Sequence, residues 1–211
     1  MPLTYKANAG AGDFDPIPGG SHIAVCDIVA DIGLQPGSDK FPKPKNQVYI
    51  RFQLPNERTE YEKDGKKLEG PRVIGKTYTA SMNEKATLRH HLESWRGKAF
   101  TDGEAENFDI SLILGKPCML TVMQTQKDGK TYANIAGIGP LPKGIGPKTI
   151  ISETTPLLYA HPDNLSTYQQ LPEWLRTKID SQLEKKPTPG EGEPPVSAYD
   201  NQEITDDDIP F

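Results

Sequence analysis

The 211-residue chain predicts an all-β domain with one internal helix, followed by an amphipathic helix and an acidic tail. Three observations lead there. The run Gln47 to Leu54 alternates strictly, with Val48, Ile50, Phe52 and Leu54 on one face and Gln47, Tyr49, Arg51 and Gln53 on the other. A helix-period stripe, Leu88, Leu92 and Trp95, falls between the third and fourth strand-like runs. From residue 187 onward there are seven Asp or Glu and no Lys or Arg, after a body that holds 24 bases and 22 acids.

In chain order, residues 1–21 are rich in Gly, Pro, Ala and Asp and predict an irregular arm, ending at the turn signal Pro18-Gly19-Gly20-Ser21. His22 to Gln35 is apolar and β-branched throughout and predicts the first strand; its alternation slips near Asp27, which predicts a bulge or bend. Pro36 to Pro44 is a turn-rich loop, and Gln47 to Leu54 is the second strand. Pro55 to Gly75 reads as a long charged insertion, with Asp64-Gly65 at a hairpin tip and Lys63, Lys66 and Lys67 around it. Lys76 to Ser81 predicts the third strand. The helix is expected over Asn83 to Trp95, capped by Asn83 or by a Ser81–Glu84 capping box and ended by Gly97.

Phe108 to Leu114 fits a short helix or a strand equally. Gly115 to Gln126 and Lys130 to Ile138 predict the fourth and fifth strands, joined by the two-residue turn Asp128-Gly129. The order strand, strand, strand, helix, strand, strand is that of the OB-fold, a five-stranded Greek-key barrel. Its domain is expected over residues 22–142. Within 143–186, a Gly- and Pro-rich connector leads to a helix opened by Pro172, with Leu171, Leu175, Ile179 and Leu183 repeating every four residues. That helix is too short to stand alone, so it must dock on the barrel or on a partner. Residues 187–211 have the composition of a disordered linker and tip.

Composition narrows the function classes. Cys26 and Cys118 lie in strand-like runs, form no disulfide framework and predict reduced, buried thiols. The N-terminus lacks the apolar stretch of a signal peptide and no run approaches a membrane span, so a cytoplasmic protein is expected. No P-loop, no GxSxG and no Cys–His arrangement is present. His90 and His91 point about 100° apart on a helix and no second cluster joins them. The expectation is a protein that is not an enzyme and uses no cofactor or metal.

A sequence-independent binder of single strands needs cations for phosphates and aromatic faces for bases on one surface. The candidates are Tyr49 and Arg51 on the solvent face of the second strand, Arg72, Lys76 and Tyr78 at the third, Tyr132 on the fifth, and Lys66 and Lys67 in the insertion. Tyr78 and Tyr132 fit an inward or an outward register equally. Lys63, Lys66 and Lys67 alternate with acids and also fit a solvated, neutral loop. Trp95 and Trp174 read as packing residues, and Phe41 as a candidate exposed ring. The last residues, Asp206, Asp207, Asp208, Ile209, Pro210 and Phe211, place an acidic run before a stiff apolar tip. Such a peptide suits a partner pocket with an apolar floor and a basic rim.

Asp206 to Phe211 resembles the C-terminal tip of bacterial single-stranded DNA-binding proteins, which recruits DNA-processing enzymes; its place at the chain end is part of that motif. With the element order, the whole chain resembles a phage-type single-stranded DNA-binding protein, and LPEWLRTKI is similar to segments downstream of the barrel in such proteins. The resemblance implies coating of single-stranded DNA during replication, recombination or repair in the host cytoplasm. It also implies recruitment of host or phage helicase, polymerase, nuclease or recombination factors through the tip. Two departures limit it. The barrel sequence does not read like the bacterial housekeeping protein, so that protein's tetramer is not implied, although a homo-oligomer is compatible. The linker is also shorter and poorer in Gly and Gln. The alternative is an OB-fold adaptor that recruits such enzymes by protein contacts with little DNA binding. Exposure of Tyr49 and Arg51 on a positive face is what separates the two readings.

Overall fold

A computed structural model describes residues 15–38, 41–63, 65–160 and 165–183. The chain is mostly β, and its central strand is β1 (Gly20–Gln35). Gly20 to Val25 pair antiparallel with β4 (Pro117–Lys127), while Val25 to Gln35 pair antiparallel with β2 (Lys45–Lys63). The register slips between Cys26 and Ile28, just where β1 exchanges one partner for the other. A bulge bends a strand and increases its twist, so this is where the sheet curls. It is the slip that the sequence predicts near Asp27.

β3 (Lys66–Thr79) pairs with β2, and β5 (Lys130–Gly139) with β4, giving the order β3-β2-β1-β4-β5 in a strongly curled half-barrel. The two end strands approach each other: Lys76 on β3 donates from Nζ to the carbonyl of Ile135 on β5 at 2.8 Å. A short β6 (Leu157–Tyr159) lies parallel to Ile28–Ala30, taking the edge of β1 that β4 leaves beyond Val25.

Inside the curl lie Val48, Ile50, Phe52 and Leu54, as the alternation predicts, with Ala24, Cys26, Cys118 and Leu120. Both cysteines are buried and free. The open end is plugged by α1 (Thr87–Arg96), which buries Leu88, Leu92 and Trp95. Trp95 Nε1 donates to the Pro117 carbonyl at 3.0 Å, and Gly97 closes the helix in the left-handed region at φ 68°.

Three expectations are corrected. The helix starts at Thr87, not Asn83, and its N-cap Ala86 makes no side-chain cap; Asn83 instead accepts from the Lys85 amide in the preceding turn. The chain's capping box belongs to α2 (Asp102–Glu106), where Thr101 and Glu104 bond reciprocally. Residues 55–63 and 66–75 are not a loop but the far half of a long β2–β3 ribbon, paired down to Lys63 and Lys66. Backbone pairing carries this ribbon beyond the apolar alternation, so the hydrophobic pattern alone misses it. The ambiguous stretch 108–114 is a short 3₁₀ turn at Ile110–Ile113.

The downstream segment forms a second layer. After β6 come α3 (Leu165–Gln170) and α4 (Glu173–Asp180), and Leu171, Leu175 and Ile179 bury themselves against Ile28, Ala30 and Ile32 of β1 and Tyr49 of β2. The side chains of the four-residue repeat are buried only as far as Ile179; the Leu183 side chain is exposed while its amide donates to the Leu34 carbonyl of β1 at 2.8 Å, and Pro172 stands at the N-cap rather than inside the first turn. No helix among the described residues is long and apolar enough to cross a membrane.

Leu175 is fully buried. Leu175→Ala is therefore predicted to lower stability by about 2–5 kcal/mol in urea unfolding. A loss under about 0.5 kcal/mol, well below any core truncation, would show that α4 is loosely attached.

Candidate nucleic-acid interface

The outer face of β2 was expected to present Tyr49 and Arg51 to solvent. Tyr49 is instead only 7% exposed. Its ring meets Trp174 of α4 edge-on, centroids 5.0 Å apart at 86°, and burial pushes its phenol up to about 12. On β3, Gly75 lies under this ring, and any side chain there would collide with the Tyr49 hydroxyl. The physical reason is the second layer: β1 is apolar on both faces, and the segment covering its outer face reaches onto β2.

Arg51 is equally committed. Asp27, at the bulge, is fully buried, and Arg51 grips it with Nε at 3.1 Å from each carboxylate oxygen and Nη2 at 2.7 Å from Oδ2. Gln53 donates to the same oxygen at 3.0 Å and to Thr154 Oγ1 at 2.6 Å, while its own oxygen accepts the Glu153 amide at 2.9 Å. Arg58 bridges Glu69 and Glu153 alongside. A buried carboxylate keeps its charge only when paired and hydrogen-bonded, and this network supplies both needs. Arg51's side chain retains 19% exposure, too little for an open phosphate contact.

Two more candidates are turned inward. Tyr78 is buried, its hydroxyl 2.9 Å from His91 Nδ1, which settles its register against the ligand face. Burial draws His91 down to about 4, with Lys76 and His90 adding to the effect. Lys76 is half-buried at the β3–β5 seam, and desolvation lowers its pKa. His90, adjacent in sequence, is exposed near Glu93. Arg72 donates to the Asp15 carbonyl at 2.8 Å.

The remaining candidates stay in water, on the two hairpins. Lys66 and Lys67 are exposed at the end of the β2–β3 ribbon. Tyr132 is 47% exposed on β5, opposite Thr125, with Met123 and Asn134 on the same face and Lys127 and Lys130 at the turn. By register, both β2 and β4 run toward the N-terminal end of β1 as they approach their hairpin turns, so the two hairpins leave the sheet at one end. Residues 15–17 tie their bases together: Arg72 of β3 holds Asp15, and Gln124 of β4 holds Ile17 at 2.9 Å. Phe41, in the β1–β2 loop, is exposed with Lys45 Nζ 5.5 Å from its ring centre. The acidic tip Asp206 to Phe211 and the linker lie outside the described residues.

No protein-family model, no curated protein and no solved structure matches the chain. The reading of the site therefore stands on its residues. Sequence reasoning missed Asp27 as the buried partner of Arg51, and Trp174 as an exposed ring. A signal for the first was present: a lone carboxylate inside an apolar strand requires a cation or donors opposite it.

Asp27→Ala is predicted to cost about 3–5 kcal/mol in denaturant unfolding, because Arg51 is left half-buried without its partner. A cost below about 1 kcal/mol, the range of an exposed pair, would mean that solvent screens the pair as it would at a surface. His91 binds its proton less readily folded than unfolded. Stability contributed by neutral His91 is therefore complete above its ordinary 6.5 and is lost as pH falls toward about 4. His91→Gln should flatten the pH–stability slope in that window; an unchanged slope would assign it to other groups.

Proposed function

We propose that this chain is a non-enzymatic OB-fold protein that binds single-stranded DNA with little sequence preference and recruits DNA-processing enzymes through Asp206 to Phe211. The element order and the sheet order β3-β2-β1-β4-β5, with end strands meeting at Lys76 and Ile135, support the barrel. The observation that carries the binding reading is the pair of hairpins leaving one end of the sheet, one tipped with Lys66 and Lys67, the other bearing Tyr132, Lys127 and Lys130. Mobile cations serve phosphates, and an exposed ring serves unpaired bases whose faces are free only when the strand is single. The tip's role rests on its resemblance to the bacterial motif.

The adaptor reading has a specific observation in its favour. Tyr49 is covered and Arg51 is neutralised by Asp27, so the sheet face lacks the open ring and cation that would mark a DNA-coating groove. In the adaptor, the hairpins and tip contact proteins.

Anisotropy titration of labelled oligo-dT separates the two. Tight binding that weakens with salt and resists duplex competitor is expected. Tyr132→Ala should reduce affinity by about 5- to 150-fold, the loss of one stacked base. Lys66→Ala with Lys67→Ala should lower both the affinity and the salt slope. Deleting residues 204–211 should raise affinity at low salt and abolish partner binding. No binding by either the full-length or the truncated chain would leave the adaptor as the function.

A further inference from the structure

We propose that Trp174 is a base-stacking platform, receiving one unpaired nucleobase of single-stranded DNA on the β2–β3 side of α4; this rests on the single-strand-binding reading above. α4 buries Leu175 and Ile179, with Leu171 just before it in the same cluster, and Trp174 stands on its flank, 51% exposed. A tryptophan needed only for packing would bury its large apolar area; this one leaves half of it in water.

The ring is also held still. Its contact with Tyr49 fixes it at 5.0 Å and 86°, and Tyr49 itself is seated in the space that Gly75 leaves empty. A ring already ordered before binding loses little entropy on meeting a base. α4 covers the outer face of β1, and the Tyr49 ring fills the space over Gly75; of the adjoining β3 positions, Val73 and Thr79 are exposed and Thr77 is half-buried. Val73, Thr77 and Thr79 are uncharged. The cation beside it is the half-buried Lys178, one helical turn beyond Trp174.

The occupant is a nucleobase rather than a protein side chain, because the β3 positions left open beside the ring are uncharged and Lys178 stands one helical turn away for a phosphate. Tryptophan fluorescence tests it directly. The chain has two tryptophans, and Trp95 is buried with its indole nitrogen bonded to Pro117. Saturating oligo-dT should quench the full-length protein, and the quenching should vanish in Trp174→Phe, which keeps a ring and should keep most of the affinity. Trp174→Ala should weaken oligo-dT binding by about 5- to 150-fold. Binding by anisotropy without quenching, or quenching that persists in Trp174→Phe, would overturn the inference and leave the single-strand reading intact. The wild-type quenching does not depend on any variant folding. Absence of oligo-dT binding by the wild type would overturn both.

Discussion

From Ala24 to Ala30, β1 is buried on both faces, and a strand of that kind needs a packed layer on each side. The inner layer is the rest of the curled sheet with α1 as its plug. The outer layer is supplied by Leu171 and α4, which come from a segment more than a hundred residues further along the chain. Because β4 stays beside β1 only up to Val25, the remaining edge is open to β6, and Leu157 to Tyr159 hold it in parallel register. The curl and the place of β6 therefore share one cause, the change of partner at the bulge.

Asp27 sits at that same point. A buried carboxylate in an apolar strand is costly, and the fold answers with Arg51 and Gln53 from the adjacent strand. The connector then closes over them through Thr154 and Glu153. One consequence is structural: the segment after the barrel is pinned by polar contacts as well as by Leu175 and Ile179. The other is functional. The cation and the ring that the second strand offers are absorbed internally, and the chemistry available to a ligand moves outward to the hairpins and to the rim of α4.

That displacement has a physical logic for a ligand that is long and flexible. On the proposed single-strand reading, hairpins bearing Lys66, Lys67, Lys127 and Lys130 would follow a phosphate chain without demanding a fixed geometry. Exposed rings need rigid support, which the sheet gives Tyr132 and which Tyr49 gives Trp174. The tail, with seven acids and no base, repels phosphate and is suited to a basic protein surface instead.

Much of the fold was legible in the residues. Alternation from Val48 to Leu54 named the core face of β2, the slip at Asp27 marked the bulge, and Asp128-Gly129 marked the β4–β5 hairpin turn. These are local signals, set by the two-residue period of a strand and by the backbone freedom of Gly. The tip's composition and the absence of recognisable catalytic motifs were also readable from the chain alone. What only the tertiary structure decided was the fate of the opposite face. Alternation says that Tyr49 and Arg51 point away from Phe52, but not whether water or another layer lies there. Docking of Leu171, Leu175 and Ile179 onto β1 is a contact between segments far apart in sequence, and it buried Tyr49 while leaving Trp174 in the open.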